Sequence, residues 1–238
     1  MLNESVQSSS EPELEYQGRK ASRAKSEHRR RLILEAALRI VIQEGVRGIR
    51  HRAVAKEASV PLAATTYYFK DIDELITDAF TLYTEKALAV IDNFTQQFYQ
   101  PFLQGMSNID LTNNDNQQVM VELLVEQLSE YVRVQSMVER NMLIIEQAFR
   151  YEAIVNDRIR DLAYLHRETL FGKVVEFLTL VKSPAPEQDA HLLLALFHSL
   201  EYNALLQPHD QVNMVAVTDI LRRFITMLVS NIIASQRG

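Results

Sequence analysis

The sequence predicts an all-α fold, in which a small N-terminal domain of three helices containing a helix-turn-helix precedes a larger C-terminal helical domain. Apolar residues recur at helical spacing along most of the 238 residues, and no segment shows the alternation of a half-buried strand. Glycine and proline number only six each, and 47% of the residues are hydrophobic. A chain of this length and composition can bury a substantial helical core.

The small domain is predicted over residues 26–70. Ser26 is a candidate N-cap of its first helix, and Gly45 suits the left-handed position that follows a helix end. Pro61 suits the start of its last helix, because a proline ring fits the first helical turn. The three predicted helices are 26–44, 51–58 and 62–68, with a turn at 59–61. The residues expected to form the small core beneath them are Val54, Val60, Tyr68 and Phe69.

The larger domain is predicted over residues 71–238. A long helix begins near Asp71, and the carboxylates of Asp71, Asp73 and Glu74 favour its positive N-terminus. Residues 101–117 have the composition of a loop. Further helices are predicted at 118–136, 138–150, 152–181, 187–206 and 211–234.

Charge is distributed unevenly along the chain, whose formal net charge is −6. Residues 17–56 carry twelve Lys and Arg against three Glu, whereas residues 57–238 carry thirteen against twenty-four Asp and Glu. A polyanion responds to such a local basic field even on an acidic protein. Residues 1–25 lack apolar periodicity and are predicted to be a disordered arm with a basic second half. This arm is either a solvated tail or a DNA-contacting segment.

The helix-turn-helix is the segment that most directly indicates a function. Such a motif inserts its second helix into the DNA major groove while the first crosses the backbone. The groove side therefore needs small or polar residues, and the opposite side needs apolar anchors; helix 62–68 has both. The residues predicted to contact DNA are Arg50, His51, Arg52, Pro61, Leu62, Ala64, Thr65, Thr66, Tyr67 and Lys70.

Several apolar, small and acidic residues hold fixed spacings across about residues 31–75: Ile33–Leu38, Glu44-Gly45, Val54-Ala55, Ala58, Val60, Tyr68-Phe69 and Asp73-Glu74-Leu75. Over this stretch the chain resembles the TetR family of transcriptional regulators. Five positions depart from the family pattern: Ser59 and Ala63 stand where glycines are common, Thr66 and Tyr67 stand where Tyr and His are common, and Ile72 stands where the family has a phosphate-binding lysine. Lys70 is the candidate substitute for that lysine.

The resemblance implies a homodimer formed through about residues 187–234, which would place two recognition helices one DNA turn apart on a palindromic operator. It also implies a repressor that a small-molecule effector releases from that operator. The long helix beginning at Asp71 would transmit the change. The residues expected to supply the apolar faces of the dimer are Leu192, Leu193, Leu196, Leu200, Leu221, Phe224, Ile225, Leu228 and Ile232.

An effector cavity is expected among the central helices. A buried Glu146 would suit a ligand with a cationic or hydrogen-donating group. Apolar residues at helical spacing also fit an ordinary core, so both interpretations stay open for this set. The candidate lining residues are Phe98, Leu124, Leu128, Tyr131, Met142, Glu146, Phe149 and His166.

Other classes of protein find little support in the sequence. There is no cysteine, and the P-loop, Gly-x-Ser-x-Gly, Gly-x-Gly-x-x-Gly and His-Glu-x-x-His patterns do not occur. We therefore expect no enzyme activity, no cofactor and no metal site. The polar, acidic start lacks a signal-peptide pattern, and no run reaches the ~18 apolar residues of a membrane span. A cytoplasmic protein without membrane contact is expected. The alternative is a helical protein–protein adaptor whose helix-turn-helix no longer reads DNA.

Overall fold

The computed structural model describes residues 15–19, 24–99, 102 and 113–237. These residues form helices and connecting turns without a strand, and the predicted all-α class is confirmed. No helix in this part of the chain is both long and apolar enough to traverse a bilayer. The helices are α1 Ala24–Glu44, α2 His51–Glu57, α3 Leu62–Tyr68, α4 Ile72–Phe94, α5 Asn114–Arg133, α6 Arg140–Val155, α7 Asp157–Leu180, α8 Pro186–Leu205 and α9 Met214–Arg237.

The small domain has the predicted helix-turn-helix. Gly45 follows the end of α1 with a positive φ of 73°, which suits glycine, but its ψ of 179° is not that of the predicted left-handed cap. Ser59, in the turn between α2 and α3, lies in the left-handed region with a φ of 53°, which explains why glycine is favoured there. The predicted core forms: Val54, Tyr68 and Phe69 are buried, and a half-buried Val60 packs against them.

Helix α4 joins the two parts of the molecule. Asp71 caps it by accepting a hydrogen bond from the backbone N–H of Glu74 at 2.9 Å. The first half of α4, from Leu75 to Thr84, is buried throughout. One hydrophobic cluster contains residues of α1 to α4 together with Ile145, Phe149 and Ile159 of α6 and α7. The small domain therefore shares a core with the helices behind it.

Helix boundaries in the larger domain differ from the sequence prediction most of all at the start of α5 and at the junction of α6 and α7. Helix α5 begins four residues earlier than expected, because the Asn113 side chain accepts the backbone N–H of Asp115. Asn156 likewise caps α7 through the N–H groups of Arg158 and Ile159, so α6 extends to Val155 rather than ending near 150. Of the predicted loop 101–117, positions 101 and 103–112 lie outside the described residues.

The last two helices show that the apolar faces chosen from the sequence point largely into the protomer. Helix α9 packs along α5, and α8 packs against α7. The wider apolar side of a helix usually packs on the core of its own protomer. Hydrophobic periodicity therefore identified the inward sides of α8 and α9 and not a dimer surface. Six of the nine chosen residues are buried, namely Leu193, Leu200, Leu221, Ile225, Leu228 and Ile232. The large apolar residues that face outward on α8 and α9 include Leu192, Tyr202, Ile220 and Met227.

Candidate DNA-binding surface and ligand cavity

The outer side of α3 presents small, hydroxylic and aromatic side chains. Pro61, Leu62 and Thr66 are exposed, and Tyr67 is 53% exposed at the end of the helix. Ala64 is half-buried because it packs against the core of the small domain. Since the inner side of the same helix carries the buried Tyr68, α3 is a two-sided wedge of the kind that the major groove accommodates.

Thr65 cannot belong to this outer surface, and its prediction as a DNA contact is wrong. Its side chain is fully buried, and its hydroxyl donates a hydrogen bond to the backbone oxygen of Leu62 at 2.8 Å. Thr65 lies three residues before Tyr68, so both side chains fall on the same side of the helix. A hydroxyl group on a short helix is therefore no guide to which side faces solvent.

The start of α2 places basic groups beside α3. Arg50 and Arg52 are exposed, whereas His51 is half-buried. The His51 Nδ1 atom is buried and has no hydrogen-bond partner among the described residues. Lys70, just after α3, has an exposed side chain, and its backbone N–H donates to the Glu74 carboxylate at 2.7 Å. The Lys70 ammonium group thus remains available to a phosphate.

A groove of about 620 Å³ runs between the start of α1 and α3. Lys25 and Arg29 on α1 line one side, and Ala63 and Tyr67 on α3 line the other. The three consecutive arginines at positions 29–31 differ in exposure. Arg29 is exposed beside the groove, whereas Arg30 is buried.

The segment 15–19 packs on the small domain, which departs from the disordered arm expected over residues 1–25. The buried Asp78 of α4 accepts the backbone N–H groups of Gln17 and Gly18 at 2.6 and 3.0 Å. The same carboxylate pairs with Arg30 of α1 at 2.6 Å. Because a buried carboxylate is stabilised by such donors, Asp78 fixes the segment against α1 and α4. We call residues 15–19 the docked segment.

Gly18 permits this approach, and Arg19 extends it to α3. A Cβ atom at Gly18 would lie 2.8 Å from Asp78 Oδ2 and 2.9 Å from the Phe69 ring. The Arg19 N–H donates to the Tyr68 oxygen at 2.9 Å, and its guanidinium lies 4.4 Å from the centre of the Tyr67 ring. Arg19 therefore lies beside the outer surface of α3. Sequence reasoning missed it, because the partner that holds the segment is 60 residues away.

The larger domain encloses a cavity of about 860 Å³. The walls come from α4 through α9. Among the residues predicted to line it, Phe149 does not: it is only 1% exposed and packs on Phe80 and Tyr83 with ring-centre distances of 4.8 and 6.0 Å. The seven predicted residues that do lie on the wall are Phe98, Leu124, Leu128, Tyr131, Met142, Glu146 and His166.

Two carboxylates face this cavity from neighbouring helices. A Glu146 carboxylate oxygen of α6 lies 3.7 Å from an Arg150 nitrogen and 3.8 Å from His198 Nε2, and the Tyr83 hydroxyl lies beside this carboxylate. Its side chain retains 23% exposure because it opens onto the cavity. Burial is the main cause that raises its pKa above the ordinary value.

Glu201 of α8 is more isolated than Glu146. It is 6% exposed, and no described residue donates a hydrogen bond to its carboxyl group or forms an ion pair with it. Burial first, and the nearby charge of Glu146 second, raise the pKa of Glu201 to about 8. Sequence reasoning missed Glu201, because an acid on an acidic helical surface carries no local signal of burial.

Other polar groups of the cavity are neutral or lack partners. Burial lowers the pKa of His166, and burial together with Arg150 and Arg167 lowers that of His198 to about 4. Both imidazoles are therefore neutral near pH 7. The His166 Nδ1 and Gln135 Nε2 atoms are buried without a hydrogen-bond partner among the described residues. Polar atoms without partners around a cavity indicate space for a ligand or water.

The chain is similar in sequence to known transcriptional regulators. A family model described as the C-terminal domain of tetracycline-repressor-like proteins matches residues 119–227. The HTH-type transcriptional regulator PksA of Bacillus subtilis (strain 168) is 42% identical over 60 residues, which are 25% of this chain. The matched stretch spans 29% of the length of PksA.

Solved structures share the fold. A member of the TetR family from Streptomyces coelicolor A3 is 24% identical with a TM-score of 0.58, over 82% of this chain and 97% of the other. The multidrug binding protein EbrR, complexed with malachite green, is 23% identical with a TM-score of 0.55, again over 82% and 97% of the two chains. These likenesses establish a common architecture.

Proposed function

The chain belongs to the TetR family, and from this premise we propose that it is a sequence-specific DNA-binding transcriptional repressor that a small-molecule effector releases from its operator. One observation carries the proposal: the outer side of α3 is exposed and flanked by basic side chains, while its inner side is sealed into the core. A helix held in this way can enter a groove without disturbing the fold.

The proposed DNA contacts divide into two sets. Thr66 and Tyr67, with Pro61, Leu62 and the methyl group of Ala64, face the base edges and the adjoining backbone. The exposed basic groups around them bind phosphates and set the register of α3 on the duplex. These basic groups are Arg19, Arg29, Arg50, Arg52 and Lys70. His51 is the first residue of α2 and lies near the positive end of that helix, where a phosphate would bind.

Dimerisation is proposed through helices α8 and α9, over about residues 187–234. Their outward sides expose large apolar groups, notably Leu192, Tyr202, Ile220 and Met227. Large apolar groups exposed on both helices are typical of residues that an interface covers. A two-fold dimer would place two α3 helices ~34–36 Å apart, as a palindromic operator requires.

Effector release is proposed to act through α4. This helix carries Asp78, which holds the docked segment, and Tyr83, which reaches the cavity wall. The two residues are five positions apart, about 7.5 Å along a helix axis. An effector that favours one position of α4 would weaken DNA binding, and DNA would weaken effector binding by the same factor.

The proposal is tested by selecting DNA from a random pool with the purified protein and then titrating variants on the selected sequence. We expect Tyr67→Ala and Arg52→Ala each to weaken operator binding by about ten-fold, a typical loss for one good contact. Tyr164→Ala is the matched control, because Tyr164 is an exposed tyrosine on α7, away from α3. Size-exclusion chromatography should show an unchanged oligomeric state.

If the protein is instead a protein–protein adaptor, the same titration should show no preference for any DNA sequence. A regulator prefers its selected sequence by ~10³ or more over random DNA, and log K falls by about 0.9 per phosphate contacted as log salt rises. An adaptor would enrich no sequence from the pool. That outcome would remove the DNA-binding role from α3.

A further inference from the structure

We propose that the effector is a lipophilic organic cation, and that its charged group is held by Glu201 together with Glu146. This inference rests on the proposed effector role of the cavity, but its test measures ligand binding without DNA. The supporting observations are the isolated carboxyl of Glu201, the charges that face it and the aromatic walls around it.

The isolation of Glu201 is the first step. Burying a carboxyl group without a partner is unfavourable, and native folds rarely retain such a group in their interior. Glu201 lies on the cavity wall, is buried from solvent and receives no hydrogen bond from any described residue. A cationic or hydrogen-donating ligand would supply the missing partner, as an arginine does for other buried acids.

The charges around Glu201 leave the cavity acidic. Arg150 reaches Glu146 at 3.7 Å and its charge also acts on Glu201, but this exposed side chain forms no ion pair with Glu201 among the described residues. Lys173, Lys182 and Glu176 also lie on the wall, and the Lys173 ammonium group binds Asp92 at 2.7 Å. The titratable and charged groups facing the two acids are Tyr83 of α4, Tyr131 of α5, Arg150 of α6, His166 of α7 and His198 of α8, and Arg167 of α7 lies near His198.

The walls favour an organic cation over a metal ion. Metal ions such as Mg²⁺ and Ca²⁺ take six or more oxygen ligands, and two carboxylates in an apolar cavity fall well short of that set. Aromatic rings attract an organic cation through their electron-rich faces and pack against its hydrocarbon parts. The aromatic residues on the wall include Tyr83, Phe94, Phe98, Tyr131, Phe177 and Phe197.

The position of Tyr83 connects this site to α4. The Tyr83 hydroxyl lies beside the Glu146 carboxylate, and its ring stacks on Phe149 at 6.0 Å. Burial first, and the Glu146 carboxylate second, raise the pKa of Tyr83. A cation that binds Glu146 competes with the Tyr83 hydroxyl for the carboxylate. Ligand binding at the two acids therefore acts directly on the helix that carries Asp78.

The test compares two tricyclic fluorescent probes of similar shape. 9-Aminoacridine is a cation at pH 7, whereas acridone is neutral. We expect the wild-type protein to bind 9-aminoacridine at least about ten-fold more tightly than acridone, which corresponds to one charge-assisted hydrogen bond. Glu201→Gln should remove most of this preference by weakening cation binding and leaving acridone binding within about two-fold. Glu168→Gln, on the exposed side of α7, is the matched control.

Calorimetry in buffers of different ionisation enthalpy supplies a second readout. Since Glu201 holds its proton near neutral pH, binding of the cation should release a proton from the wild-type protein and none from Glu201→Gln. Equal affinity for the two probes, no binding of either, or an unchanged preference in Glu201→Gln would overturn the inference. The DNA titration above is independent of these results, so either proposal can fail alone.

Discussion

Two buried carboxylates of this protein, Asp78 and Glu201, have opposite surroundings. Asp78 receives two backbone N–H groups and the Arg30 guanidinium, and it ties the docked segment to α1 and α4. Glu201 receives no such donor from the described residues and faces a cavity. The same chemical group thus has hydrogen-bond donors at the junction with the DNA-binding domain and, within the described part of the chain, lacks them in the larger domain.

The difference indicates distinct roles for the two acids. A buried ion pair with all its hydrogen bonds made specifies one arrangement of the chain, and removing one partner leaves an uncompensated charge. An acid without partners lowers the stability of the free protein and is satisfied only when something binds. Asp78 therefore belongs to the architecture, and Glu201 belongs to the binding site. Four substitutions test this difference.

The largest effect is expected from Asp78→Ala. The substitution leaves Arg30 buried without its acid and frees the backbone N–H groups of Gln17 and Gly18, so the free energy of unfolding should fall by about 3–5 kcal/mol. Urea denaturation measures the change. Asp92→Ala removes an exposed acid paired with Lys173 and should lose less than about 1 kcal/mol.

If Asp78→Ala does not fold, Asp78→Asn provides the same comparison with the shape of the side chain retained. Two equally stable variants, at positions 78 and 92, would contradict the role assigned to the junction.

The second effect has the opposite sign. Glu201→Gln should stabilise the ligand-free protein by about 1–3 kcal/mol at pH 8, because it replaces a buried acid by a neutral group. The pKa of Glu201 is raised from 4.5 to about 8 on folding, so the folded state holds the proton more tightly. Wild-type stability should therefore fall as pH rises from about 4.5 to 8, relative to the variant.

Thermal melts across this pH range would show the two proteins converging near pH 4.5 and separating progressively up to about pH 8. Parallel curves would mean that Glu201 is already satisfied in the free protein.

A third effect concerns the docked segment. Gly18→Ala would place a Cβ atom against Asp78 and Phe69, so the segment should detach, with a loss of about 1–3 kcal/mol typical of overpacking. Hydrogen exchange of the Gln17, Gly18 and Arg19 amides should accelerate. Gly172→Ala is the control: that exposed position on α7 has open space around a new Cβ atom, and the helix should gain about 0.5–1 kcal/mol.

The smallest effect is expected in the turn of the helix-turn-helix. Ser59 has a positive φ of 53°, which costs a residue with a Cβ atom about 1 kcal/mol. Ser59→Gly should raise the free energy of unfolding by up to that amount, measured by chemical denaturation. Ala58→Gly, one residue earlier at a φ of −78°, should instead destabilise the protein by about 0.5–1 kcal/mol.

Local sequence signals predicted most of the fold. Pro61 and Gly45 mark helix boundaries, and the predicted ends of α1 to α3 lie within about two residues of the observed ones. The start of α7 was misplaced, because Asn156 caps it within a sequence that otherwise continues as a helix. Short capping contacts of this kind leave a weak pattern in one sequence.

The candidate site was less predictable because its members depend on distant partners. Phe149 and Glu146 lie three residues apart on α6, yet one packs in the shared core and the other opens onto the cavity. The docked segment depends on an acid of α4, far along the chain. Periodicity identifies which residues share a side of a helix, but the neighbouring helices decide whether that side meets core, cavity or solvent.

The core that α1 to α4 share with α6 and α7 limits how this protein can be recombined with others. A chimeric biosensor that joined residues up to 70 to a foreign sensing domain would strip the core residues of α1 to α3 of packing partners such as Leu75, Phe80 and Phe149. Such a graft should be insoluble or poorly folded. A workable exchange would have to carry α4 along and rebuild the complementary surface of α6 and α7 on the recipient.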